Sequence, residues 1–199
     1  MMLSEKPSWL YKLVTIEKLG QIQKELVPLL YKFNPYFDIP QNKIGYLPIE
    51  KKDIEKFAPT YVEYIDSLNL LDRWTFSLII TVSNISEESI HVDTQNYNYR
   101  CYGLNLPLIN CENTYTVWYE GTLDETPVET LNPRLKSSRY INKNLPYHEI
   151  GRLEVTNPAW VNVCIPHKPE NNNSKPRAVI STRFTPEVHD IFENYGNNT

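Results

Sequence analysis

The feature that most constrains this chain is a change of pattern at Trp74. Before it, apolar residues recur at helical spacing; after it, they fall into short β-branched and aromatic runs separated by Pro, Asn and Gly. Thr75–Val82, Ile90–Asp93, Tyr97–Leu106 and Tyr115–Tyr119 read as strands, as do Ile150–Val155, Trp160–Ile165 and Arg177–Phe184. Residues 121 to 146 are polar and punctuated by Pro and Asn, which predicts a long loop with a short strand at its middle. Upstream, Ile16, Leu19, Ile22, Leu26, Leu29, Leu30 and Phe33 recur every three or four residues, as one face of a helix over 15–33 should, with a kink expected at Pro28. Residues 34–48 carry turn signals, and 51–57 and 59–68 suggest two shorter helices. Thr185-Pro186-Glu187 is a helix start for a short terminal helix ending near Gly196. Helices followed by seven or eight short strands predict an α+β, mainly β chain: a barrel or jelly-roll sheet backed by helices. The expected layout is a single domain over 1–199, with mainly helical support in 1–73, the jelly-roll core in 74–184 and a short helix and tail in 185–199.

Several function classes are disfavoured by composition. With 199 residues, 41% of them hydrophobic, the chain can bury one sizeable core. No run of 18 apolar residues offers a membrane span, and the N-terminus has no basic stretch ahead of an apolar core, so a cytoplasmic protein with no membrane partner is expected. A net charge of -4 gives no general attraction for phosphate backbones, so no nucleic-acid partner is expected. Cys101, Cys111 and Cys164 are an odd number without a C-x-x-C pair, which suits a reducing compartment and buried, unpaired thiols. The chain has no G-x-S-x-G, Walker loop, G-x-G-x-x-G or H-E-x-x-H.

Chemistry enters at His91-Val92-Asp93. Two residues apart on a strand, the imidazole and the carboxylate point to the same face and can bind one ion. His167, just after the Trp160–Ile165 strand and Pro166, would complete a two-His, one-carboxylate set of the kind that leaves coordination positions open on Fe(II). Imidazole and carboxylate also suit Zn or Mn, so the ligands by themselves do not choose iron. Arg177 follows ten residues after His167, and a guanidinium grips a carboxylate with two parallel hydrogen bonds.

The run Trp160-Val161-Asn162-Val163-Cys164-Ile165-Pro166-His167, then Arg177 and Ser181-Thr182-Arg183-Phe184, resembles the closing half of an Fe(II)- and 2-oxoglutarate-dependent oxygenase. The likeness spans residues 75–184 and implies a double-stranded β-helix core (jelly-roll, cupin-like). It further implies iron held by His91, Asp93 and His167, 2-oxoglutarate and O2 as co-substrates, and Arg177 on the far carboxylate of 2-oxoglutarate. The stretch from His91 to Pro107 also resembles the aspartyl/asparaginyl β-hydroxylase branch, in which an Arg nine residues after the His contacts the co-substrate; Arg100 holds that position. That branch typically lacks the carboxylate ligand, whereas Asp93 is present, as in prolyl-hydroxylase-like members. Tyr102 would share a face with Arg100, and Asn105 is a further pocket polar group on the same strand. No catalytic residue beyond the metal ligands is expected. The implied activity is hydroxylation of a small molecule or a peptide, with an amino-acid or peptidyl side chain favoured. The alternative is a non-catalytic cupin-like domain that binds a metal or small ligand.

Other candidates receive plainer readings. His148 reads as a solvated surface group and His189 as exposed on the terminal helix. Arg183 shares a face with Arg177 and is its rival as the carboxylate anchor, but its place near the strand end favours a surface ion pair, and Arg177 is preferred. Asn110, Asn162 and Trp118 read as turn or packing residues.

Overall fold

The computed structural model describes residues 10–34, 43–84, 90–93, 102–125, 128–129 and 137–185. The expected C-terminal helix, Arg100, Cys101 and His189 lie outside these residues.

Arg177–Phe184 explains the architecture. All eight residues of this strand are buried, because it is hydrogen-bonded on both sides and covered on both faces. Its even positions, Ala178, Ile180 and Phe184, join a core that faces the helices. Its odd positions, Arg177, Val179 and Arg183, line a cavity on the opposite face. Period-two alternation thus separates the packing of the helices from the inside of a barrel.

In chain order the strands are β1 (Tyr11–Leu13), β2 (Ile44–Ile49), β3 (Trp74–Val82), β4 (His91–Val92), β5 (Tyr102–Ile109) and β6 (Thr114–Gly121), followed by β7 (Val128–Glu129), β8 (Ser137–Tyr140), β9 (Tyr147–Glu154), β10 (Ala159–Asn162), β11 (His167–Asn171) and β12 (Arg177–Phe184). They form two six-stranded sheets, β1-β10-β5-β12-β3-β2 and β7-β8-β4-β11-β6-β9. Neighbouring strands pair antiparallel, and chain neighbours such as β3 and β4 fall in different sheets, as a jelly-roll requires.

The helices are α1 (Leu19–Phe33), α2 (Lys51–Phe57) and α3 (Pro59–Ser67). Ile22, Leu26, Leu29 and Leu30 of α1 are essentially fully buried against Leu104, Leu106 and Ile180. Each such side chain contributes about 1.5–3 kcal/mol. α1 continues through Pro28 to Phe33. α3 is tied to the sheet by a buried chain of hydroxyls: Tyr61 Oη lies 2.6 Å from Thr182 Oγ1, which lies 2.8 Å from Ser77 Oγ. Trp74 Nε1 donates to the same Ser77 oxygen at 3.0 Å.

The first 73 residues carry α1, α2 and α3. They also contribute β1, at one edge of the first sheet, and β2, at the other. β2 includes Gly45 and Pro48, both turn signals in isolation. Pro48 is tolerated because β2 is an edge strand, with no partner on its outer side among the described residues. Gly45 leaves room for Thr81, whose Oγ1 would lie 2.4 Å from any Cβ placed there. The cysteines also depart from expectation: Cys111 is free and buried, but Cys164 is disulfide-bonded. Among the described residues no helix is long and apolar enough to cross a membrane.

Candidate metal centre

The three candidate ligands come from two pieces of backbone far apart in the chain. His91 lies on the short strand β4, and Asp93 follows it, its N–H donating to the Val163 carbonyl at 3.1 Å. His167 opens β11 and stands directly opposite His91 in the antiparallel ladder. The two imidazole rings are 4.9 Å apart between centroids. One ligand atom from each of the three residues lies within 4.8 Å of the others, with His91 Nε2 3.4 Å from Asp93 Oδ1. All three side chains are buried.

Cross-strand contacts fix the turn that leads into His167. Trp118, opposite His167 on β6, donates its indole N–H to the Asn162 carbonyl at 2.8 Å. Asn162 Oδ1 in turn accepts from the Cys164 N–H at 3.0 Å, and the Tyr119 N–H donates to the Pro166 carbonyl at 2.8 Å. Asn162 and Trp118 therefore act as turn and packing residues, as expected. Asn110 does so too: it adopts φ 52° and donates to the Pro176 carbonyl at 2.8 Å.

Electrostatics prepare the cluster for a cation. Burial pushes His167 down to about 4, so its imidazole is neutral at physiological pH. Its Nδ1 lies 2.9 Å from the Ile165 carbonyl; as an N–H donor there it leaves the Nε2 lone pair for a ligand bond. Burial acts to raise the Asp93 carboxyl, but the hydrogen bond with His91 and the Arg183 guanidinium outweigh it and hold Asp93 below the usual carboxylate range. Two imidazoles and one carboxylate, gathered without water-facing exposure, fit a divalent transition metal.

Arg177 and Asn105 line the same cavity as the three ligands, together with Thr116 and Tyr46. Tyr102 does not: it packs with Leu104 and Leu106 against the helix-side core, one residue out of phase with Gly103 and Asn105. The reason is register, since β5 pairs its odd residues with the barrel-facing odd positions Ser181 and Arg183. Arg100 lies outside the described residues.

Arg183 corrects the sequence reading. It is 5% exposed rather than at the surface, and its Nη2 donates to Asp93 Oδ2 at 2.9 Å. Both faces of β12 are covered to its end, so no solvated position is left there for the side chain. Its signal in the sequence was the six-residue interval from Arg177, which places both arginines on the barrel face. His148 is exposed and pairs with Glu120 on the outside of the second sheet.

Two facing antiparallel sheets with a buried His/Asp/His cluster between them define a double-stranded β-helix with a metal-type site. No protein-family model matches the chain, and neither does any curated protein. Among solved structures, the chain is similar to the epimerase SnoN in complex with Fe3+, alpha ketoglutarate and nogalamycin RO. The TM-score is 0.52 at 10% identity, covering 88% of this chain and 78% of that one. A second structure of SnoN, described as a non-heme alpha ketoglutarate dependent epimerase, aligns with TM-score 0.47 at 11% identity, covering 88% and 76%. A prolyl hydroxylase in complex with a hypoxia inducible factor oxygen degradation domain peptide fragment, from Trichoplax adhaerens, aligns with TM-score 0.44 at 12% identity, covering 89% and 84%. The first of these likenesses establishes the fold.

Proposed function

We propose that this protein is a non-haem Fe(II)- and 2-oxoglutarate-dependent oxygenase. The observation that carries the reading is the shared cavity: His91, Asp93 and His167 line it together with the buried guanidinium of Arg177. A site that only held a metal would need no second cation in its wall. The described residues lining the cavity include two guanidiniums, Arg177 and Arg183, groups whose planar fork suits a carboxylate. SnoN, whose fold this chain shares, is described with Fe3+ and alpha ketoglutarate bound.

In this reading His91, Asp93 and His167 hold the iron and Arg177 grips the distal carboxylate of 2-oxoglutarate. Iron and 2-oxoglutarate, when bound, supply the O2-dependent oxidising chemistry. The chain's own residues bind, orient and exclude water. Neutral His167 presents Nε2, and Val161, Val163, Leu78 and Ile80 give the cavity an apolar wall. Asn105 and Thr116 add polar groups to the same cavity wall. The proposed reaction hydroxylates a C–H bond of a small molecule or of an amino-acid or peptidyl side chain, converting 2-oxoglutarate and O2 to succinate and CO2.

Anaerobic titration with Fe(II) and 2-oxoglutarate tests this directly. The chelated complex should give a weak visible charge-transfer band that is absent with either component alone. Iron binding without any 2-oxoglutarate-dependent band would favour a cupin-like metal-binding domain and overturn the oxygenase reading.

A further inference from the structure

The Arg183–Asp93 pair has the form of a built device. Arg183 reaches Asp93 from across the barrel, ninety positions along the chain, and both side chains are buried. Its two terminal nitrogens are divided: Nη2 donates to Asp93 Oδ2 at 2.9 Å, and Nη1 donates to Ser181 Oγ at 2.6 Å. Ser181 passes the interaction on, its hydroxyl donating to Asn105 Oδ1 on β5. The guanidinium is thus held at both ends in one plane.

Space for it is made by a single residue. Gly103 stands opposite Arg183 in the β5–β12 ladder. A Cβ at Gly103 would lie 1.5 Å from Arg183 Nη1 and 2.6 Å from its Cζ, so any other residue there must expel the guanidinium. No positive φ occurs at any described glycine, so backbone conformation does not demand glycine here; the close approach does.

Resting on the metal reading above, we infer that Arg183 is a positioning residue that fixes Asp93 as a one-oxygen metal ligand, with Gly103 as its seat and Ser181 and Asn105 as its brace. Oδ2 is engaged by the guanidinium, leaving Oδ1, on the side of His91 Nε2, to face the metal. A carboxylate held this way cannot swing to chelate with both oxygens, so it occupies one coordination position and leaves the others for co-substrates. The buried cation also neutralises Asp93 before metal arrives, so the cluster need not protonate to stay folded.

The test is Co(II) titration of the metal-free protein, whose visible spectrum reports both affinity and coordination number. Arg183→Lys keeps the charge and the strand but cannot span Ser181 and Asp93 at once; Gly103→Ala leaves Arg183 intact and takes its seat. Both should weaken Co(II) binding by roughly 10- to 100-fold, the usual effect of removing a partner behind a metal ligand, and should change the spectrum. Thermal melts separate a merely structural role, which would lower the melting temperature while leaving the Co(II) affinity and spectrum of the folded protein unchanged. Unchanged affinity and spectrum in Arg183→Lys overturn the inference, whether or not Gly103→Ala folds. Absence of Co(II) binding by the unsubstituted protein would instead refute the metal centre itself.

Discussion

Replacing Thr182 by Val should destabilise the protein more than replacing Tyr61 by Phe, although each removes one hydroxyl from the same buried chain. Thr182 lies in the middle: its Oγ1 is 2.6 Å from Tyr61 Oη and 2.8 Å from Ser77 Oγ. Tyr61 is at the end. Its removal breaks one hydrogen bond and leaves Thr182 still bonded to Ser77, a net loss of about 1 kcal/mol. Thr182→Val preserves the side-chain shape but strands the Tyr61 hydroxyl and takes from Ser77 one of two partners, leaving it the Trp74 N–H. Tyr61 is fully buried and its phenol is pushed up by burial, so neither water nor ionisation can relieve its hydroxyl. With about 1–3 kcal/mol for the stranded hydroxyl and about 1 kcal/mol for the hydrogen bond that Ser77 loses, the loss is about 2–4 kcal/mol. The two changes should also be non-additive: in the Thr182→Val background, Tyr61→Phe removes a stranded hydroxyl and should restore stability. Urea denaturation of the four metal-free proteins at neutral pH measures this. A Thr182→Val loss no larger than that of Tyr61→Phe, or strict additivity of the two, would refute the reasoning.

His91→Ala, Asp93→Asn and His167→Ala should each abolish stoichiometric Fe(II) binding while circular dichroism stays native; undiminished affinity in all three rules out the triad. Arg177→Ala should leave iron binding intact and weaken 2-oxoglutarate by about 2–4 kcal/mol, read from the titration of the visible band. Acid should destabilise the metal-free protein through His167, whose pKa falls from 6.5 to about 4 on folding. Between those pH values the unfolded chain takes up a proton that the folded one does not, so stability falls as pH drops through this window and this group adds nothing further below it. The loss is about 3 kcal/mol between pH 7 and 4, seen in urea denaturation, and His167→Gln should flatten it. With Fe(II), ascorbate and O2 but no substrate, slow succinate release above a metal-free control is expected; Arg177→Ala should depress it and His148→Ala should not.

Much of the site was legible from local spacing alone. Two residues along a strand return to the same face, so His91-Val92-Asp93 implied a shared ligand pair without any knowledge of the fold. The helical stripe from Ile22 to Leu30 and the alternation in Arg177–Phe184 likewise follow from the sterics of one helix or one strand. What opposes what does not. Gly45 and Pro48 read as turn signals, and only the neighbouring β3 shows that they sit in an edge strand. Tyr102 seemed to share a face with the site until the β5–β12 register turned it toward the helices. Arg183, assigned to the surface on its position near a strand end, lies opposite Gly103 and against Asp93, partners eighty and ninety residues away. Side-chain periodicity is determined by short-range sterics and is written in the sequence. The register between distant strands depends on how every strand between them packs, so only the tertiary structure decided which arginine meets Asp93.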